Sequence, residues 1–180
     1  MALPKRQDAK EYRQFVKWNA SESVFLRVDR VRDDVGNWSN KPVDITKSFE
    51  AIFDWESLET GWINYPTGGP PVFKLVPLSQ EIGERPGDSL KEGFRLLIKL
   101  MNGAGNDVRE FSSNSKLVWQ SLSEAHDAYL EARDKHKGQE PIVSIAEVIT
   151  VQTTLGKYYR PDFAFLRWVK RPAEFTSNKS

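Results

Sequence analysis

Two periods of apolar and polar positions run along this chain. Over residues 23–31, Val24, Leu26 and Val28 alternate with Phe25, Arg27 and Asp29, a two-residue period that predicts a strand. Residues 43–55 alternate more strongly, with Phe49, Ala51, Phe53 and Trp55 on one face and Ser48, Glu50 and Asp54 on the other. Residues 72–78 are short and β-branched, and residues 93–101 place Phe94, Leu96, Ile98 and Leu100 opposite Arg95 and Lys99. Asn102–Asp107 predicts a hairpin turn, with residues 108–111 pairing back. The period then changes. Val118, Leu122, Ala125 and Tyr129 recur three and four residues apart, predicting an amphipathic helix over 114–137. Ser113 or Asn114 would cap it, Gly138 would stop it, and Lys135, His136 and Lys137 suit its negative end. Two further strands follow, 142–153 and 162–170.

Punctuation residues divide these elements. Gly36 and Asn37 mark 33–41 as a loop, and the glycines and prolines of 56–71 mark a long connection holding Trp62 and Tyr65. Residues 154–161 read as a loop carrying Lys157, Tyr158, Tyr159 and Arg160. Residues 1–22 read as a flexible arm in which Tyr12, Phe15, Val16 and Trp18 could form a short helix. Residues 173–180 read as a short free tail. The domain expected between them spans 23–172.

This order predicts a mainly β protein with one long helix, α+β in class. It suggests an OB-fold-like five-stranded Greek-key barrel with an N-terminal extension. Its strands would be 43–55, 72–78, 93–101, 142–153 and 162–170, with the helix joining the third to the fourth. Such barrels hold oligonucleotides on strands 2–3 and on the loops joining strands 1–2 and 4–5. The candidate nucleic-acid-binding residues are therefore Trp62 and Tyr65 in the first loop and Lys74, Arg95 and Lys99 on the strands. Lys157, Tyr158, Tyr159 and Arg160 in the second loop and Arg167 beyond it complete the set.

Composition narrows the chemistry. The 180 residues suffice for one domain with a core. There is no cysteine, which removes disulfides, thiolate nucleophiles and thiolate-bound metals, and only His126 and His136 are available for imidazole chemistry. Twenty-six Lys and Arg nearly balance 25 Asp and Glu, so an anion-binding surface must be local. Residues 157–171 hold such a concentration: Lys157, Arg160, Arg167, Lys170 and Arg171 face only Asp162. Ten Phe, six Trp and five Tyr supply stacking surfaces beside them. A single strand of nucleic acid offers base faces to aromatic rings and phosphates to cations. The competing reading puts Phe49, Phe53, Phe94 and Phe163, with Trp55, Trp119 and Trp168, in the core.

Enzyme motifs are incomplete. Pro161-Asp162 matches the start of a restriction-type nuclease motif, but the next acid, Glu174, is followed by Phe175 and Thr176 rather than a spacer and lysine. Asn102-Gly103-Ala104-Gly105-Asn106 lacks a third glycine and a βαβ context, and there is no P-loop. Acidic residues such as Asp54, Glu56 and Glu59 could hold Mg²⁺ for a metal-dependent nuclease, a third and lesser reading, but they read more readily as the solvated edge of a loop. No catalytic residue and no cofactor are assigned. No stretch approaches the ~20 apolar residues of a transmembrane helix. The charges Lys5, Arg6, Asp8, Lys10, Glu11 and Arg13 leave no secretory signal, so an intracellular protein without membrane partners is expected.

Residues 55–172 also carry a resemblance. Gly61-Trp62-Ile63-Asn64, Phe73-Lys74-Leu75-Val76-Pro77-Leu78, Gly93-Phe94-Arg95-Leu96-Leu97, Arg109-Glu110-Phe111-Ser112-Ser113 and Trp168-Val169-Lys170-Arg171-Pro172 resemble stretches of small phage- and prophage-encoded proteins of the single-stranded DNA-binding type. The resemblance implies single-stranded DNA as the partner, a role in phage replication or recombination, and the cytoplasm of a bacterial host. Replication or recombination proteins and further copies of the chain are candidate partners. Many single-strand-binding proteins end in an acidic recruiting tail, whereas residues 171–180 hold Arg171, Glu174 and Lys179, so the resemblance does not extend to such recruitment. The competing function is a phage structural or protein–protein adaptor whose aromatics are buried at a subunit interface.

Overall fold

The structure, a computed structural model, describes residues 14–101 and 107–176. Its strands are β1 (Phe15–Asn19), β2 (Val24–Arg32), β3 (Trp38–Asp44), β4 (Glu50–Asn64), β5 (Val72–Pro77), β6 (Lys91–Leu100), β7 (Val108–Ser113), β8 (Gln139–Thr153) and β9 (Gly156–Lys170). Helix α1 (Lys116–Ala132) lies between β7 and β8, and a helical turn, α2 (Ala173–Thr176), follows β9. The strands form one curled, half-barrel sheet in the order β3-β2-β1-β7-β6-β4-β8-β9, with β5 pairing with β4 off that path. All neighbours are antiparallel except β1 and β7. No helix of the described residues is long and apolar enough to cross a membrane.

The concave side holds the core. Phe53 lies at its centre, with ring centroids 5.5 Å from Phe163, 6.1 Å from Phe111 and 5.4 Å from Trp55. Val118, Leu122, Ala125 and Tyr129 of α1 are buried against this cluster, as their spacing predicts. The cap falls on Ser115, whose Oγ accepts the Val118 amide at 3.5 Å, and not on Ser113 or Asn114. The helix ends earlier than 137, in a 3-10 turn over Arg133–Lys135, and Gly138 follows with φ +76°.

Several predicted boundaries are overturned. The turn after β1 bonds to the far end of the sheet: the Tyr159 amide donates to Ala20 O, and Trp18 Nε1 donates to Tyr159 O, both at 2.8 Å. Residues 15–19 are therefore neither helix nor free arm. Val16 and Trp18 point inward at strand spacing, and the clustering of apolar residues mimicked a helix. The arm's residues 1–13 lie outside the described residues, as does most of the predicted 102–107 turn. β3 (38–44) takes up 38–41 of the loop expected at 33–41, because the turn occupies only 33–37, where Asp33 Oδ1 accepts the Val35 and Asn37 amides. The strand expected at 43–55 begins at Glu50 and runs on to Asn64. Gly61, which reads as a loop signal, is there because its Cβ would meet Lys74 O at 2.1 Å. β5 pairs only with β4, while β6 also pairs with β4, so the expected succession of paired strands 72–78 and 93–101 does not occur. The 154–161 loop shrinks to Thr154 and Leu155, and Lys157, Tyr158, Tyr159 and Arg160 lie on β9. β9 ends the pairing path, where Pro161 costs little of the ladder. The described part of the tail, residues 173–176, is not free, since Phe175 is 1% exposed and packs on Ile52 and Ile142, while residues 177–180 lie outside the described residues.

Candidate nucleic-acid interface

Residues directly opposite in adjacent strands share a face, and faces alternate along each strand. Phe111 and Leu96 are paired core residues, so Ser112 and Arg95, the next pair, point to the convex face. Glu59 pairs with Arg95 and joins them there. Two residues on, Gly61 pairs with Gly93 and Leu75, and Ile63 pairs with Lys91 and Phe73. Phe73 and Arg95 thus share the convex face, and the Arg95 guanidinium lies 4.7 Å from the Phe73 centroid. Arg95 also reaches Glu59 Oε1 at 3.1 Å.

Tyr65, just beyond β4, closes the group. Its ring meets Phe73 edge-on at 6.3 Å, and its hydroxyl lies 2.7 Å from Ser112 Oγ. The residue is 42% exposed, so a ring surface is open while the hydroxyl is turned inward. That local desolvation pushes the phenol pKa up, against the Ser112 hydrogen bond, which lowers it. The structure therefore brings together two of the sequence-predicted residues, Tyr65 and Arg95, with Phe73 and Ser112, which the sequence reading passed over. Phe73 carried a signal in its alternation with Lys74, and Ser112 carried none beyond its strand.

The other candidates are dispersed. Lys99 is on the convex face, but its Nζ is 3.2 Å from Glu174 Oε1 of α2. Trp62 pairs with Lys74, one residue out of phase with Arg95, and so both point to the opposite face. Trp62 is on a strand, not in a loop, and its Nε1 donates to Gly83 O at 2.8 Å. On β9, Lys157 and Arg167 are exposed, while Tyr158 and Tyr159 are half-buried, with Tyr159 against the core. Arg160 is 8% exposed; its guanidinium donates to both Glu124 carboxylate oxygens at 3.0 and 3.3 Å and to Ser121 Oγ at 3.3 Å.

Two constellations escaped the sequence reading. Trp38 is 55% exposed on β3, with the Arg30 and Arg32 guanidinium carbons 5.6 and 5.9 Å from its ring centroid. The spacing Arg-x-Arg, turn, Trp is visible in the sequence, but Gly36 and Asn37 make 33–41 read as a loop and hide the pairing of Trp38 with Arg32. The second is acidic. Arg171 lies 2.9 Å from Asp54 Oδ1, 3.1 Å from Glu140 Oε1 and 3.5 Å from Glu56 Oε2. Burial raises the Asp54 and Glu140 pKa values, against the pull of Arg171. A guanidinium occupies the centre of this carboxylate group, and among the described residues no set of three His, Cys, Asp or Glu is arranged to hold a metal. Beside it, Trp55, Leu58, Leu78, His126, Tyr129 and Leu130 line an open groove, behind which Trp55, Tyr129 and Trp168 stack in series.

In comparison with known proteins, no family model, no curated protein and no solved structure matches the chain.

Proposed function

We propose that this chain is a sequence-tolerant single-stranded DNA-binding protein on an OB-like barrel, acting in phage replication or recombination. The pairing order supports the barrel: along β9-β8-β4-β6-β7, with α1 between β7 and β8, the strands follow the order 5-4-1-2-3 of that fold. The second and third strands are then β6 and β7, and the connection between the first and second contains Tyr65 and Phe73. The observation that carries the reading is the group Tyr65, Phe73, Arg95 and Ser112 on the convex face of those strands. Aromatic faces beside a guanidinium suit bases and a phosphate, with stacking contributing about 1–3 kcal/mol per base. Glu59 holds Arg95 in place and neutralises part of its charge, so the exposed Lys157 and Arg167 are left to add to the basic field.

Titration with labelled oligo-dT at increasing salt tests the proposal. Binding at low salt should weaken with a log–log slope of about −0.7 per phosphate neutralised. Tyr65→Ala should weaken it by about 1–3 kcal/mol without shifting the melting temperature appreciably. An absence of binding at low salt would overturn the reading. A docking role has one observation of its own: Leu155, 85% exposed at the β8–β9 tip, and Leu166, 51% exposed on β9, present apolar surface that suits a protein partner. In that case Leu155→Glu would abolish self-association or capture by the partner and leave oligo-dT binding intact.

A further inference from the structure

We infer that the β2–β3 hairpin is a second contact for the single strand, in which Trp38 stacks on a base while Arg30 and Arg32 hold the flanking phosphates. The inference rests on the single-strand reading above and extends it to a surface outside the β6–β7 face. Three observations support it.

The first is geometry. Trp38 pairs with Arg32, and Arg30 is two residues along the same face, so both guanidinium carbons come within 6 Å of the indole centroid. Arg32 is steadied there by its Nε, which donates to Gly36 O at 3.3 Å. A ring that is 55% exposed with two guanidiniums beside it suits a ligand with both flat apolar and anionic parts.

The second is charge. Strands β2 and β3 carry Arg27, Arg30, Arg32 and Lys41 against Asp29 and Asp44. Asp29 is held by Arg27 at 3.1 Å and by Arg109 at 2.8 Å, and Asp44 Oδ1 accepts from the Thr46 hydroxyl at 2.6 Å. In the turn, Asp33 is bonded to backbone amides and Asp34 sits at the tip. The four cations and four carboxylates of residues 24–44 balance, Asp29, Asp33 and Asp44 are bonded to other groups, and the two cations within 6 Å of the Trp38 ring are Arg30 and Arg32. β3 is an edge strand, but Lys41 and Pro42 on it disfavour the strand addition that a protein partner would use.

The third is continuity. Phe15 pairs with both Glu110 of β7 and Val28 of β2, which carries the convex face from Arg95 across β7 and β1 to Arg30, Arg32 and Trp38. Counted along strands and across them, Arg95 and Trp38 are separated by roughly 25 Å on one face. A long oligonucleotide can span that path and a very short one cannot.

The test uses the full chain and labelled oligo-dT of about 5 and about 20 nucleotides, within and beyond the range of OB-fold site sizes. Trp38→Ala should weaken binding of the long oligonucleotide about tenfold, with an unchanged salt slope, and Trp38→Tyr should restore most of the affinity. The double variant Arg30→Gln, Arg32→Gln should instead reduce the salt slope by about 1.4, the value for two phosphates on a single strand. Both variants should bind the short oligonucleotide as the wild type does, and unchanged thermal melts would show that the hairpin is intact. Wild-type affinity of Trp38→Ala for the long oligonucleotide would overturn the inference alone. So would a smaller sedimenting species with unchanged DNA binding, which would make the hairpin a contact between copies. If the wild type binds neither oligonucleotide, the single-strand reading fails and this inference with it.

Discussion

Arg160 and Lys157 sit three residues apart on β9 and look alike as cations, yet they face different surroundings. Arg160 is buried against Glu124 and Ser121, where its hydrogen bonds tie α1 to the sheet, while Lys157 is exposed. The same distinction separates the two histidines. His136 stacks on Trp168 with ring centroids 4.3 Å apart, and His126 is half-buried against Trp55 and Tyr129. Burial lowers the His126 pKa below its ordinary 6.5; Asp127 opposes the shift and Arg133 adds to it. The unfolded chain therefore binds the proton more readily than the native one, and stability is lost as pH falls through 6.5 towards the depressed native value. In His126→Gln that part of the acid slope should be missing. Urea midpoints for the two proteins, measured from pH 7 downward, should differ by a pH-dependent amount in this window, and a constant offset would contradict the assignment.

Among the elements, the chain from the end of β9 into α2 acts as a strap across the convex face. Phe175 covers Ile52 and Ile142, Glu174 holds Lys99, and Arg171 is drawn between Asp54, Glu56 and Glu140. Asp54 and Glu140 are 3% and 4% exposed, so removing the cation leaves two buried carboxylates without their counter-charge. Arg171→Met should cost about 3–5 kcal/mol near neutral pH. Because burial raises both carboxyl pKa values, the loss should shrink as the pH is lowered and they take up protons. Denaturant unfolding at neutral and mildly acidic pH measures both effects; a loss that does not change with pH would remove the carboxylates from the explanation. Sequence periodicity identified β4, β6 and α1, whose apolar faces are buried on one side as the pattern requires. It missed β3 and the second half of β4. β3 is exposed over nearly its whole length, and β4 there depends on Gly61 to let the Lys74 carbonyl approach.

For the whole molecule, the N-terminal strands are part of the core. Phe25 stacks on Phe49 with centroids 4.2 Å apart, and Trp18 and Val16 are buried with it. Each large buried side chain removed costs about 2–5 kcal/mol, against a net stability of about 5–15 kcal/mol for a typical domain. Deleting residues 1–48 should therefore abolish cooperative thermal unfolding rather than free a stable barrel. A truncated chain with a sharp melt by circular dichroism would show that the barrel stands without these strands.

The sequence by itself determined the mainly β class, the single long helix and its buried face, and four of the buried core aromatics, Phe49, Phe53, Trp55 and Phe94. These follow from local period and apolar content, which neighbours along the chain already encode. It also named Tyr65 and Arg95, but not their association with Phe73 and Ser112. Only the tertiary structure decided that Trp62 and Lys74 face away from Arg95, that Arg160 is bonded to Glu124, and that Trp38 comes close to two arginines. Those outcomes depend on strand register and pairing partner, and a shift of one residue moves a side chain to the other face of the sheet. Register is set by contacts between residues far apart in the chain, such as Trp18 with Tyr159 and Arg95 with Glu59, which no local pattern contains.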